Sequence, residues 1–129
     1  MIVVDSSVWI ANLRGEATEA TAKLRAIDDP DSILVGDLVL LEVLRGARSD
    51  AHAARIESAM RAFVVEPMLD DALAARAAAH YRALRALGVT ARETIDLIIA
   101  TFCAERGHAL LHDDRDFDAL AAHIGLRVM

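Results

Sequence analysis

Acidic side chains follow or interrupt short apolar runs at four places along the chain. These acids are Asp5, Glu42, Asp96 and, in the fourth element, Asp114 with Asp116. Clustered carboxylates repel one another and raise each other's pKa unless a cation neutralises them. Oxygen ligands without a histidine–cysteine pattern favour a hard cation such as Mg²⁺ or Mn²⁺. Such an ion polarises a phosphoryl oxygen and activates a water molecule, so this pattern indicates metal-assisted hydrolysis of a phosphodiester.

Asp5 and Glu42 each have a structural explanation as well as a chemical one. Asp5 directly follows the apolar residues 2–4 and stands where a capping residue begins a helix. Glu42 is the only ionisable residue in the segment 38–44, and we expect that helix to be apolar almost all round and buried. A buried carboxylate is costly unless it is paired or bound to metal. Glu42 therefore either meets Arg45 three residues later or joins the cation site.

Asp96 and the acids after residue 111 leave the same two alternatives. Asp96 lies in the first turn of a predicted helix, where the macrodipole favours an anion, but its neighbours Ile95 and Leu97 are aliphatic. Asp116 is placed to cap the next helix, and some acids of the segment 112–118 must be solvated. The four elements together, rather than any one of them, predict a metal site.

The elements that position these acids alternate between short apolar runs and longer helical patterns. The predicted strands cover residues 2–4, 33–35, 63–65, 109–111 and 126–128. Their short lengths and weak alternation are typical of strands buried on both faces. We therefore predict one α/β domain over residues 1–129, with a mostly parallel sheet of about five short strands. The functional site of such a sheet forms outside the carboxyl ends of its strands, which is where the acids stand.

Seven helical patterns separate or follow these strands. They cover residues 8–13, 17–27, 38–45, 51–61, 72–87, 93–106 and 117–123. A glycine follows five of them, and we expect each to form a left-handed C-terminal cap. These glycines are Gly15, Gly46, Gly88, Gly107 and Gly125.

Composition limits the class of protein. The chain has 129 residues, of which 55% are hydrophobic, so it can bury the core of one domain. No apolar run approaches the roughly 18 residues of a membrane helix, and residues 1–5 lack the basic leader of a secretory signal. The single cysteine, Cys103, forms neither an internal disulfide nor a thiolate zinc site. We expect a soluble cytoplasmic domain without a membrane partner.

The net charge of −6 is unusual for a protein that binds nucleic acid. Affinity for RNA would then depend on bound cations and on a few arginines. Arg92 and Arg115 are the candidates, because each lies within four residues of a predicted ligand. They are equally placed to hold the carboxylates in position.

Four segments together resemble a known family. Residues 4–7, 41–43, 95–100 and 110–117 resemble the motifs of the PIN-domain ribonucleases and, more narrowly, of the VapC toxins of toxin–antitoxin pairs. The match runs in order along the whole chain and implies the three-layer α/β/α PIN fold. It also implies a Mg²⁺- or Mn²⁺-dependent endoribonuclease that acts on transfer RNA or ribosomal RNA. The implied partners are a second copy of the chain and a VapB-type antitoxin, whose C-terminal segment occludes the acidic site in a hetero-oligomer.

The resemblance assigns roles to individual residues. Asp5 and Asp96 match the first and third acids of the family, and Glu42 matches the second. The fourth acid and the further acid near it correspond to Asp114 and Asp116. Ser7 matches a small polar residue that orients the first acid. His112 departs from the pattern, since many relatives have Thr or Ser there, and we expect it to pack at the end of its strand.

Two other functions remain open at this stage. Asp5 would be the phosphoryl acceptor of an aspartate-based phosphatase or a receiver-like domain. The phosphatases carry a second Asp two positions later, where this chain has Ser7, and receivers need a late Lys, whereas the only lysine is Lys23. The other alternative is a catalytically inactive domain that binds only protein and no metal.

Overall fold

The computed structural model describes residues 1–129 as five strands, seven α-helices and one turn of 3₁₀ helix over Pro30–Ser32. The strands are β1 (Ile2–Val4), β2 (Ile33–Gly36), β3 (Val64–Glu66), β4 (Ala109–Leu111) and β5 (Arg127–Val128). The helices are α1 (Ser6–Leu13), α2 (Glu19–Arg25), α3 (Asp37–Arg45), α4 (Asp50–Met60), α5 (Asp71–Ala86), α6 (Thr94–Arg106) and α7 (Asp116–Ile124). Each predicted element is present, with its ends shifted by at most two residues.

All five strands form one parallel sheet in the order β3-β2-β1-β4-β5. Helix α1 contacts α2 and α3, α3 also contacts α4, and α6 contacts both α5 and α7. These two groups correspond to the layers that right-handed crossovers place on opposite faces of a parallel sheet. The predicted α/β fold with a central parallel sheet is therefore confirmed.

Burial differs between the centre and the edges of the sheet. Strand β2 is buried throughout, and β1 and β4 each have two buried residues. The expectation that every strand is buried on both faces is wrong for β3 and β5. These strands lie at the two edges, where one side of the strand has no neighbour.

One core of 29 buried residues connects the sheet with both helical layers. Helix α6 is the most enclosed of the helices, because residues 96–103 are all buried. This run includes Asp96. An ionised carboxylate in the core is costly unless its charge is compensated. No helix of the chain is both long and apolar enough to cross a membrane.

The helix ends follow the glycine pattern with one exception. Gly107 and Gly125 have φ values of +71° and +78° and form the expected left-handed caps of α6 and α7. Gly46 has a φ of −86°, so the expectation of a left-handed cap there is wrong. Gly36 has a different role: a Cβ at this position would overlap the buried side chain of Met68.

Candidate metal centre

The carboxyl ends of β1 and β4 lie side by side at the middle of the sheet. Val4 is in register with Leu111, and the backbone N–H of Asp5 donates a 2.9 Å hydrogen bond to the carbonyl oxygen of Leu111. From β1, the strands β2 and β3 follow on one side of the sheet. The later strands β4 and β5 lie on the other side of β1. Strands β1 and β4 therefore flank a topological switch point, where parallel sheets form ligand crevices.

Asp5 is buried at this point and its two carboxylate oxygens differ. Oδ2 accepts hydrogen bonds from the backbone N–H of Ser7 at 3.1 Å and from the Ser7 hydroxyl at 2.6 Å. Oδ1 is buried and has no hydrogen-bond partner in the protein. Asp5 is thus the N-cap of α1, but the capping explanation accounts for only one of its oxygens. The other remains open for a ligand.

Three carboxylates meet next to Asp5. Asp96, Asp114 and Asp116 each offer one carboxylate oxygen, and these oxygens lie within 4.8 Å of one another. We call these three residues the acid triad. Oδ2 of Asp96 is buried without a hydrogen-bond partner, and Oδ1 of Asp114 accepts a 2.9 Å bond from the backbone N–H of Asp116. Residues from α6, from the loop after β4 and from the start of α7 thus converge, although about twenty residues separate Asp96 from the other two in sequence.

Glu42 approaches the site from α3. Its Oε1 accepts a 3.1 Å hydrogen bond from the hydroxyl of Ser6, and its Oε2 lies 3.8 Å from Nη2 of Arg45. The expectation of an entirely buried helix is wrong, because Leu41 is 52% exposed and the Glu42 side chain is 14% exposed. Helix α3 packs on the sheet through one face only. The ion pair with Arg45 is present, yet Glu42 also lies close enough to Asp5 for that charge to act on it.

The charges of these acids perturb one another. Burial, followed by the negative charges of the other four acids, raises the pKa of Asp96 to about 7. Burial also raises the pKa of Asp5. The hydrogen bonds from Ser7 oppose this shift, and the charge of Asp114 adds a smaller increase. The pKa of Glu42 is raised by burial and by the charge of Asp5. All five predicted acids therefore belong to one electrostatic cluster.

The donor set fits a hard divalent cation. The cluster consists of carboxylates, and two of their oxygens, Oδ1 of Asp5 and Oδ2 of Asp96, are buried without a protein partner. Unpaired buried carboxylate oxygens are costly, and a cation would satisfy them while neutralising the repulsion between the acids. Oxygen ligands are those that Mg²⁺ and Mn²⁺ prefer. The acid triad and Asp5 are the residues that would hold such an ion.

His112 packs at the end of β4. Its ring centroid lies 5.0 Å from that of Phe117, and its Nδ1 accepts a 3.2 Å hydrogen bond from the backbone N–H of Asp114. The expected packing role is therefore observed. The same contact helps to set the backbone path that carries the fourth acid.

Two residues near the site escaped the sequence argument. Glu93 precedes α6, and its charge contributes to the raised pKa of Glu42. Ser6 directly follows Asp5, and its hydroxyl donates a hydrogen bond to Glu42. The signal for Glu93 is its position three residues before Asp96 at a helix start. Nothing in the sequence links Ser6 to Glu42, because their separation of 36 residues is closed only by the fold.

Comparison with known proteins identifies the family. The sequence profile of the PIN domain matches residues 2–123 of the chain. The chain belongs to the PIN-domain family. It is 32% identical over 126 residues to Ribonuclease VapC11 of Mycobacterium tuberculosis, covering 94% of this chain and 92% of that protein. This likeness places the chain among the VapC members of the family.

Two solved PIN-domain structures show the same fold. VapBC2 from Rickettsia felis, solved with a DNA fragment from its promoter, superposes with a TM-score of 0.79 at 12% identity, covering 100% of this chain and 98% of that one. The Mycobacterium tuberculosis toxin VapC20, described as cleaving the sarcin–ricin loop, has a TM-score of 0.65 at 23% identity. That match covers 92% of this chain and 94% of VapC20. At these identities the likeness supports the fold alone.

Proposed function

We propose that this chain is a divalent-metal-dependent endoribonuclease of the VapC type, folded as a single PIN domain over residues 1–129. The observation that carries this proposal is the convergence of Asp96, Asp114 and Asp116 within 4.8 Å next to Asp5. The match of the chain to Ribonuclease VapC11 over 94% of its length supports RNA as the substrate class.

Mg²⁺ or Mn²⁺ is the proposed cofactor. The ion is held by Asp5, Asp96, Asp114 and Asp116. Glu42 adds a further negative charge next to these ligands. When bound, such an ion polarises a phosphoryl oxygen and supplies a hydroxide nucleophile at neutral pH. The protein's part is to orient these ligands before the substrate arrives.

Hydrogen bonds from the protein orient the ligands on both sides of the site. Ser7 fixes one oxygen of Asp5, and the backbone N–H of Asp116 fixes one oxygen of Asp114. The remaining oxygens of Asp5 and Asp96 are left for the cation. Removing hydrogen bonds that orient metal ligands lowers the affinity of a site for its metal ion.

The proposed substrate is transfer RNA or ribosomal RNA in the cytoplasm. VapC20, which shares the fold, is described as a toxin that cleaves the sarcin–ricin loop and is a precedent for ribosomal RNA as the substrate. Because the net charge is −6, the attraction for RNA must be local, at the bound cation and at nearby arginines. Arg92 and Arg115 are the proposed RNA contacts.

We propose a VapB-type antitoxin as partner, in line with the composition of the VapBC2 assembly. A groove of about 360 Å³ between α1, α3 and α4 suits an amphipathic segment of that partner. Its apolar lining includes Ile10, Val43 and Ile56, and the exposed side chains of Arg14 and Arg48 favour an acidic ligand. An antitoxin seated here is expected to reach the acidic site, because Asp5 is the N-cap of α1.

A homodimer is proposed through a second, apolar groove. This groove of about 390 Å³ lies between α5 and α6, and its lining includes Ala77, Tyr81 and Leu97. Leu69 also lines this groove and is 47% exposed. Sedimentation of the wild type and of Leu69→Glu tests this assignment, and we expect only the wild type to sediment as a dimer.

Cleavage of purified total RNA in Mg²⁺ or Mn²⁺ tests the proposed activity. We expect discrete products with metal, none with chelator, and none from Asp96→Asn. Calorimetry with Mn²⁺ should show binding to the wild type. Cleavage that survives chelation would contradict the metal-dependent mechanism, and absence of both cleavage and Mn²⁺ binding would indicate an inactive protein-binding domain.

A further inference from the structure

Two hollows flank the acid triad and share one side chain. The first, of about 360 Å³, is lined by Thr90, Arg92, Arg115, Asp116 and Ala119, and we call it the arginine cleft. The second, of about 280 Å³, is lined by His112, Asp113, Asp114, Arg115 and Asp118. Each hollow contains one acid of the triad, and Arg115 lines both. A chain of nucleotides that passes the triad therefore passes Arg115.

The two arginines of the cleft are free to bind a ligand. Arg92 and Arg115 are exposed and form no ion pair or side-chain hydrogen bond within the protein. Other arginines of the chain do pair with acids, among them Arg61 with Glu57 at 2.7 Å. Arg115 remains unpaired although acids stand on both sides of it in the sequence. The carboxylates nearby thus leave its guanidinium available.

The chemistry of the arginine cleft suits a phosphodiester. A guanidinium presents a planar fork of N–H donors that matches two phosphate oxygens, and two such groups in one cleft match a single phosphate from two directions. Thr90 adds a hydroxyl at the same cleft. Elsewhere in the site the field is strongly negative and repels RNA, so an approaching strand needs cationic groups beside the acids. The volume of about 360 Å³ accommodates one nucleotide unit.

We propose that the arginine cleft is a subsite for one backbone phosphate of the RNA, adjacent to the phosphodiester that is cleaved. This inference rests on the proposed ribonuclease function and extends it by locating where the strand is held. Arg92 and Arg115 are binding residues that set the position of the strand over the acid triad. They read the backbone and therefore carry no base preference.

Equilibrium binding of a short single-stranded RNA, measured by fluorescence anisotropy in Ca²⁺ at several salt concentrations, tests the subsite. We expect Arg92→Ala and Arg115→Ala each to weaken binding roughly tenfold, and R92K/R115K to recover part of the loss because the charge remains. In the double alanine variant the slope of log affinity against log salt should fall by about 0.7, the value for one phosphate of a single strand. Arg55→Ala, an exposed arginine of α4 outside both hollows, is the matched control and should bind like the wild type.

RNA with a neutral methylphosphonate at single positions locates the phosphate. Once the cleaved bond is mapped, neutralising the neighbouring phosphate should weaken binding to the wild type and leave binding to R92A/R115A unchanged. Calorimetry with Mn²⁺ should give the same affinity for all arginine variants, which separates this subsite from the metal centre.

Two results would overturn the inference, and they are distinct from failure of the proposed function. If the wild type cleaves RNA but R92A/R115A binds and cleaves it as Arg55→Ala does, the arginine cleft is not a phosphate subsite. If R92A/R115A loses binding but also loses Mn²⁺ affinity, the arginines support the carboxylates instead. A wild type that neither binds nor cleaves RNA with metal contradicts the proposed function itself.

Discussion

The hydroxyl of Ser7 donates a 2.6 Å hydrogen bond to Oδ2 of Asp5. The same oxygen of Ser7 accepts a 3.1 Å bond from the backbone N–H of Asp113, two residues beyond β4. One small side chain thus ties the turn after β1 to the loop after β4. Because the first and fourth acids lie on these two segments, Ser7 controls their relative position.

Ser7→Ala is expected to weaken Mn²⁺ binding by about 10- to 100-fold, the usual effect of removing a group that orients a metal ligand. Asp5 would lose its strongest hydrogen bond and the loop at Asp113 would lose its anchor. Titration calorimetry measures the change. Ser58→Ala, an exposed serine on α4, serves as control and should bind Mn²⁺ like the wild type. Unchanged affinity in Ser7→Ala would show that the loop holds its position without this contact.

Asp96→Asn should lower the rate of RNA cleavage roughly a hundredfold or more, because a neutral amide neither balances the cation nor matches the carboxylate as a ligand. The metal-free variant should also be more stable than the wild type at pH 8, since it removes one buried negative charge from a cluster of like charges. Thermal unfolding and cleavage assays test the two effects separately. Asp28→Asn, at an exposed position remote in sequence from the cluster, is the control for both.

Stability of the metal-free protein should depend on pH through Asp96. Its pKa is raised from 3.8 to about 7 by burial and by neighbouring carboxylates, so the native state retains a proton that the unfolded chain releases. The stabilisation from that proton is complete below about pH 4 and is lost as the pH rises to about 7. The melting temperature of Asp96→Asn minus that of the wild type should therefore increase from pH 5 to pH 8. A difference that is flat with pH would contradict the raised pKa.

Mn²⁺ should counteract this loss of stability, because the ion binds the ionised carboxylates. The affinity of the protein for Mn²⁺ should rise with pH up to about 7, because above this pH Asp96 is already ionised and releases no proton when the ion binds. The increase in melting temperature at a constant Mn²⁺ concentration should accordingly be larger at pH 8 than at pH 5. Asp96→Asn should remove most of this pH dependence.

Gly36→Ala tests the packing beneath the site. The added methyl group would overlap the buried side chain of Met68, and overpacking of this kind costs about 1–3 kcal/mol. Gly46→Ala is the matched control, because its Cβ would meet only the carbonyl oxygen of Val43 at 3.6 Å. Chemical denaturation should show a loss for Gly36→Ala and none for Gly46→Ala. In the double variant with Met68→Ala, the loss from Gly36→Ala should shrink.

The sequence was sufficient for the elements and for the candidate ligands. The bounds of β1 and β4 were predicted to the residue, because short apolar runs ended by acids or glycines leave little choice. The acids at their ends were visible for the same reason. The least accurate predictions concern α3 and Gly46. The apolar run of α3 predicted a buried helix, and Gly46 predicted a left-handed cap, and neither is observed. Neither local composition nor residue type specifies which face of a helix meets the sheet.

What the sequence determined, by periodicity and by the positions of its acids, is an α/β chain whose carboxylates stand at strand ends. Only the tertiary structure decided that β1 and β4 are neighbours, because 104 residues separate Asp5 from Ala109 and strand order depends on how the crossovers pack. That adjacency leaves Oδ1 of Asp5 and Oδ2 of Asp96 buried without partners and places Arg92 and Arg115 in one cleft. Such relationships arise from long-range packing, to which local sequence patterns are insensitive.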